Sequence, residues 1–373
     1  MKLRSSLVGL GLVWALLGCA PVNTETLPVA TTSPHTFTPQ PTRTLTPSYT
    51  PTPKPAATAT PIPSPTASLT PKASPTIAGL LNRVPIARPF ELAWSPDGQR
   101  LAVTTARGLY LFDADTLAQR WFSPTDPGLQ QVAFRQDSLK LTTSDASGAI
   151  QVWNVLTGQL ALQATAVFLD PANELVFRPD GRVLASASFN KGTYIWDSAT
   201  GEITQTLPDE YGFTKVAFAP DGEPIALSDV LGNISLWGIA SYTPLQTFQG
   251  HTEWLFDLAF DPNGRLLASG SMDGTVRLWD TTTGAPLHVL IWNSEPRKYA
   301  SSQMNVVFSP DGQRLAAGSD DGMIRVWEVA TGELHQTISA HTKTVVSVAF
   351  SPDGKQLASI GDDDVLKLWM IEP

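Results

Sequence analysis

Cysteine occurs once in 373 residues, at Cys19, so no disulfide can form within the chain and any folded part must hold without such staples. Histidine is nearly as scarce. Beyond residue 78 only His251, His288, His335 and His341 occur, which leaves few ligands for a metal. The chain has no Gly-rich phosphate loop of Walker type and no Gly-x-Ser-x-Gly nucleophile elbow. No segment sustains a helical period. Cations are also short where a fold could form: residues 79–373 hold 20 Lys/Arg against 33 Asp/Glu, a net charge of −13. That balance argues against sequence-independent nucleic-acid binding and against tight docking on an anionic membrane, both of which rely on basic surface. Long apolar runs are missing except Leu7–Leu17, and about a dozen residues is too short for a comfortable membrane span.

Composition divides the chain into three parts. In residues 1–18, Lys2 and Arg4 precede the apolar run, the pattern of a signal peptide. The run ends in Leu16-Leu17-Gly18-Cys19, which resembles a bacterial lipobox; the resemblance implies lipidation of Cys19 after cleavage and an extracytoplasmic place in the bacterial cell envelope. Residues 19–78 are expected to be a disordered Pro/Thr-rich stalk, because 30 of the 58 residues from Pro21 to Ala78 are Pro or Thr and bury too little apolar surface to offset chain entropy. At ~3.1 Å per residue in the extended polyproline form, the stalk could reach on the order of 150–180 Å.

Residues 79–373 repeat. An aromatic before a turn recurs at Trp94, Phe134, Phe177, Phe218, Phe260, Phe308 and Phe350; a second closes each unit at Phe112, Trp153, Trp196, Trp237, Trp279, Trp327 and Trp369. Spacings of 40 to 48 residues are those of a repeat architecture. Within the sixth copy Val306–Phe308, Leu315–Ser319, Met323–Trp327 and Leu334–Ile338 read as strands, separated by Ser309-Pro310-Asp311-Gly312, Asp320-Asp321-Gly322 and Ala330-Thr331-Gly332-Glu333 turns. Seven units of four short strands predict an all-β, seven-bladed propeller.

Gly250-His251, the Ser-Pro-Asp-Gly turns, Leu-Ala-Ser-Gly-Ser at 267–271, and Trp-Asp at Trp196-Asp197 and Trp279-Asp280 resemble the WD40-repeat family. The resemblance covers essentially all of residues 79–373. It implies that the last unit, which stops three strands in at Trp369, is completed by an N-terminal strand over Leu80–Ala87. It also implies a buried hydrogen-bonded tetrad in the fifth copy (His251, Ser269, Asp273, Trp279) and the seventh (His341, Ser359, Asp363, Trp369). The sixth keeps Asp321 and Trp327 but has Tyr299 in the His place, and Ser147 and Leu231 replace the Asp in the second and fourth. Recurrence at identical offsets suits satisfied buried polar groups rather than a catalytic triad. Blades five to seven are accordingly expected to be stiffer than one to four. Asp320-Asp321 and Asp362–Asp364 fall in hairpin turns where Asp is common, with no calcium-loop spacing, so no metal, cofactor or catalytic residue is expected.

The departure from period is the 48-residue interval from Trp279 to Trp327, whose excess lies in Ile291–Tyr299 between blades five and six. Trp, Tyr and Arg are enriched in binding hot spots, and insertions in repeat arrays map to surface loops. Trp254, Met272, Trp292, Arg297, Tyr299, Asp320 and Asp362 are therefore the candidate partner-binding residues, on the face where the family usually engages partners. The expectation is a non-enzymatic, monomeric, lipid-anchored propeller serving as a protein-interaction scaffold. The alternatives are an extracytoplasmic enzyme or small-ligand receptor using the central channel, which would need acidic or basic groups converging from several blades, and a purely structural spacer.

Overall fold

A computed structural model describes residues 79–164, 172–188, 192–207, 213–291 and 305–371. The chain divides into two units, Met1–Ala67 and Ser68–Pro373, and every described residue belongs to the second. The expected signal peptide and the stalk both lie outside the described residues.

The described residues contain no helix and form 28 strands, β1–β28 in chain order, in seven four-stranded antiparallel sheets. The innermost strands are β2 (Pro89–Trp94), β6 (Leu129–Phe134), β10 (Ala172–Phe177), β14 (Phe213–Phe218), β18 (Leu255–Phe260), β22 (Val306–Phe308) and β26 (Val345–Phe350). Each touches its counterparts on both sides, β26 meeting β2, so the sheets stand as seven blades around a central channel. In blade six the strands follow the sequence reading to within a residue: β23 (Arg314–Gly318) sits one residue earlier, and β24 (Met323–Glu328) and β25 (Leu334–Ser339) each run one residue further.

Blade five shows why these residues make these strands. β19 (Leu266–Ser271) is buried from Leu267 onward, and its run of small side chains, Ala268-Ser269-Gly270, suits a strand covered on both faces. β20 (Thr275–Asp280) buries Val276, Leu278 and Trp279 between partly exposed Thr275 and Arg277. The outer strand β21 (Pro286–Ile291) is mostly exposed. The core lies between blades rather than within one: Ile234, Leu236 and Phe248 of blade four pack with Leu255, Leu258, Leu267 and Trp279 of blade five. Each such side chain contributes about 1.5–3 kcal/mol by leaving water.

Closure uses the N-terminal strand. β1 (Gly79–Pro85) pairs with β28 (Val365–Met370) from Gly79↔Met370 to Pro85↔Val365, with one bulge after Leu80. Ile86 N–H then donates to Asp364 O at 2.9 Å, and Arg88 N–H to Asp364 Oδ1 at 2.9 Å. Ile86 is buried with Leu366 and Leu368 of blade seven and with Leu92 and Leu101 of blade one. Truncating the chain to begin at Glu91 removes that ladder and the Ile86 contact, so it should lower unfolding stability by at least about 3 kcal/mol. An unchanged thermal midpoint would contradict this account of closure.

Candidate functional site

The two predicted tetrads assemble. His251 Nδ1 lies 2.8 Å from Asp273 Oδ2 and its Nε2 lies 2.7 Å from Ser269 Oγ, which also accepts from Trp279 Nε1 at 2.8 Å. In blade seven His341 Nδ1 meets Asp363 Oδ1 at 2.7 Å and Nε2 meets Ser359 Oγ at 2.8 Å, while Trp369 Nε1 donates to Ser359 Oγ at 2.9 Å. The histidine stands on the connector entering its blade, and that connector is clamped by the preceding blade. Ala340 and His341 N–H both donate to Gly322 O, and a side chain on Gly322 would come within 2.2 Å of His341 O, so the positive φ and bare Cα of this glycine are both required. Gly232, also at positive φ, makes the same close approach to the connector of the fifth blade, where a side chain would come within 2.8 Å of Glu253 O and 3.1 Å of His251 O.

Burial pushes both imidazoles below their ordinary pKa, against the opposing pull of their Asp partners. Asp273 feels the same burial, yet the hydrogen bonds from His251 and Thr275 hold it at about 2. Each ring is thus a neutral, fully bonded strut, and neither tetrad contains an activated nucleophile.

Other blades keep parts of this device. Trp153 donates to Thr143 Oγ1 at 2.9 Å, and Trp196 to Ser186 Oγ at 2.8 Å. Blade six has Ala317 at the serine position, so it lacks more than the histidine. Where Ser147 and Leu231 stand in place of the turn Asp, a carboxylate two residues earlier caps the turn. Asp145 accepts from Ser147 and Ala149 N–H, and Asp229 from Leu231 and Asn233 N–H. The sequence reading missed these because it sought the Asp at one fixed offset.

The antiparallel order puts the connectors between blades and the turns between second and third strands at one end of the ring. Trp254, Met272, Asp320 and Asp362 share that end. Trp254 is 46% exposed, Asp362 is exposed, and Met272 and Asp320 are half-buried. Met272 N–H donates to Trp254 O at 2.9 Å, which ties the first two together. Leu231, 58% exposed on the turn that packs against the His251–Glu253 connector, joins them although the sequence reading did not choose it. Trp292, Arg297 and Tyr299 lie outside the described residues, and Ile291 of the expected insertion closes β21.

The channel holds a cluster of acidic, basic and polar groups from several blades, which the sequence reading named as the mark of a channel site but did not locate. Six innermost strands carry a bulge near their start, before Glu91, Gln131, Glu174, Lys215, Asp257 and Ser347. Such a bulge re-aims the side chain that follows it. These six and Asn305 line one small central cavity, one residue from each blade. Several reach across to the next blade: Glu91 Oε2 accepts from Val132 N–H at 2.7 Å, Asp257 Oδ2 from Val306 N–H at 2.8 Å, and Asn305 Oδ1 from Val348 N–H at 2.7 Å. Lys215 Nζ meets Glu174 Oε2 at 2.8 Å, both side chains nearly buried.

Seven strands enclose these charges. Burial, then the Glu174 charge, lifts Glu91 well above the usual carboxylate range and Asp257 to about 7. Burial alone would lower the Lys215 ammonium, but the carboxylates of Glu174, Asp257 and Glu91 outweigh it and raise it. Among the described residues no group of three or more His, Cys, Asp or Glu is placed to hold a metal ion.

A family model described as "WD domain, G-beta repeat" matches residues 169–197, 242–280, 299–328 and 332–370. These stretches are WD repeats, and with the seven four-stranded blades they support the WD40 propeller family. Among curated relatives, the chain is similar to the Periodic tryptophan protein 2 homolog of Schizosaccharomyces pombe, 36% identical over 98 residues, covering 26% of this chain and 11% of that protein. It is similar to mouse Telomerase protein component 1, 31% identical over 153 residues, covering 40% of this chain and 6% of that protein. Human WD repeat and SOCS box-containing protein 1 is 32% identical over 113 residues, 30% of this chain and 27% of that protein. The chain therefore spans only a small part of the length of these relatives.

The tetrads set a pH dependence. Unfolded histidine takes up its proton near pH ~6.5, whereas folded His251 and His341 do so only lower. The unfolded state binds more protons in that window, so this stabilisation is complete above it and is lost as pH falls through it. The raised Glu91 and Asp257 carboxyls act in the opposite sense over the same range, so the tetrad is read by difference: the margin in thermal midpoint of the wild-type chain over His251→Gln should shrink as pH is lowered from about 7 to about 5. Ser269→Ala should cost about 2 kcal/mol, since it strands both His251 and Trp279. A chemical denaturation series that finds Ser269→Ala neutral would refute the strut.

Proposed function

We propose that this protein is a membrane-anchored, extracytoplasmic scaffold that binds a protein partner on the connector end of its propeller. The observation that carries the reading is a WD40-type ring whose exposed Trp254 and Leu231 stand in adjoining loops, with Met272 beside them. A large aromatic rimmed by polar groups is the usual anchor of a binding patch. Carboxylates at the same end, Asp320 and Asp362 among them, favour a partner that brings apolar side chains flanked by Lys or Arg. A binding role, rather than catalysis, also fits two tetrads whose polar atoms serve one another.

The anchoring half of the proposal rests on the sequence. Lys2 and Arg4, the apolar run and Leu16-Leu17-Gly18-Cys19 support lipid attachment at Cys19 in a bacterial envelope, with the Pro/Thr segment supplying reach. A single propeller per anchor is proposed, since β1 closes the ring within one chain.

Two experiments test the halves separately. Palmitate labelling should vanish in Cys19→Ala, and persistence of the label would overturn the anchor. Cross-linking from native envelopes should recover a partner with the wild-type chain and at least about fivefold less with Trp254→Ala, a loss of about 1 kcal/mol of contact. Both proteins should melt within about 2 °C of each other, because an exposed side chain contributes little to stability. Equal recovery by the two would move the binding site off this face.

A further inference from the structure

The blades differ from one another at their outer edges. In each sheet the outermost strand is hydrogen-bonded along one side only, which leaves a row of backbone N–H and C=O groups able to pair with another strand. Blade five carries its edge on β21, where Leu287, Val289 and Ile291 are 48%, 38% and 42% exposed. They alternate with His288 and Leu290, so all three stand on one face of the strand. Leu290, on the other face, is buried against blade six.

This apolar stripe breaks a pattern that the other blades keep. Val289 stands opposite Arg277 of the third strand. At the matching place blade two has Gln163, blade three Thr206, blade four Thr247, blade six Thr337 and blade seven Arg83. Blade one has Phe122, which is half-buried against Tyr110 with ring centroids 4.3 Å apart. Blade six lines the whole of this face with His335, Thr337 and Ser339. Polar side chains on an edge discourage pairing with other chains. Among the described residues, blade five is the blade that has an exposed aliphatic side chain at all three places.

The same face has an unanswered charge. In blade six the cation matching Arg277 is Arg325, whose Nη2 lies 2.6 Å from Asp321. The matching carboxylate of blade five, Asp273, is taken by His251 at 2.8 Å. Arg277 lies instead over the Trp279 ring, 5.8 Å from its centroid. Its Nε is buried without an acceptor, and it meets no carboxylate among the described residues. Two strand spacings, about 10 Å, separate Arg277 from a strand added beyond β21, a span that its side chain and a Glu side chain cover between them.

We propose that the outer edge of blade five is a docking site for an extended segment of a partner protein, added as a fifth strand along β21. The segment has aliphatic residues at alternate positions, which cover Leu287, Val289 and Ile291, and a Glu on the same face, which meets Arg277. Backbone hydrogen bonds to the free side of β21 supply affinity, and the side chains on that face supply selectivity. A second copy of this chain is a poorer match. β21 holds no Asp or Glu, so two such strands paired together leave both Arg277 guanidinium groups unanswered. The site lies on the rim of the ring, and Trp254 and Leu231 take no part in it.

The test uses the full chain and a library of random short peptides displayed on phage. Peptides enriched on the wild-type chain should carry alternating aliphatic residues and a Glu; the tightest is then synthesised and titrated by fluorescence anisotropy. Val289→Thr, which gives blade five the residue of its neighbours, should weaken it at least about fivefold, and Val289→Lys at least about twentyfold. Arg277→Gln should weaken the Glu peptide about fivefold and leave a version with Gln in that place unchanged. If every enriched peptide binds Val289→Thr as tightly as wild type, or the library enriches none, the site is overturned. Val289→Thr should melt within about 2 °C of wild type, and a larger drop would make Val289 a folding residue and defeat its assignment to docking. Sedimentation velocity decides the other occupant: self-association of the wild-type chain that disappears in Val289→Lys would put a second copy on this edge and overturn the partner.

Discussion

Everything in this fold depends on blades covering one another. A single four-stranded sheet of this sequence has two apolar faces and no core of its own; Trp279, Phe248 and Ile234 are buried only because two blades meet. Seven sheets solve the problem only if the ring is closed, and β1 closes it by completing the blade that the C-terminal strands begin. The same pairing gives the last blade its fourth strand, so that it matches the other six. Stability in such a ring is shared between neighbours, so a local contact acts through the interfaces on either side.

That constraint explains which features were legible in the sequence. Flanking aromatics, turn residues and the spacing of tetrad members are repeated as chemistry, so they are visible in one dimension. Strand boundaries in blade six were read to within a residue for this reason. The capping carboxylates Asp145 and Asp229 were not, because their hydrogen-bonding work was moved two residues along the chain while the turn kept its shape. Partial tetrads at Thr143 and Ser186 were missed because attention stayed on histidine.

The channel ring was invisible for a different reason. Its members are repeated in position but not in chemistry: Glu91, Gln131, Glu174, Lys215, Asp257, Asn305 and Ser347 are of six residue types. Yet each stands three residues before the aromatic that ends its innermost strand, from Glu91 before Trp94 to Ser347 before Phe350. A polar residue at one fixed offset before the aromatic of every unit was the available signal. Sevenfold rotation turns residues some forty positions apart into neighbours, which no local pattern can show.

Two kinds of buried polarity coexist in this ring, and the difference between them bears on function. In the tetrads every donor meets an acceptor, the imidazoles stay neutral, and Asp273 is held at about 2. Such a set has finished its chemistry on folding; it gains nothing from a ligand and suits a strut. In the channel the carboxylates are raised, one ammonium faces three acids, and Ser347 Oγ has no partner among the described residues. Glu91 and Asp257 each hold a backbone N–H of the next blade, so part of this polarity serves the ring itself. What folding leaves open there is the Ser347 hydroxyl. The distinction gives a physical rule for reading other rings of this kind: a buried polar group closed upon its own partners belongs to the frame, and one left open belongs to whatever enters.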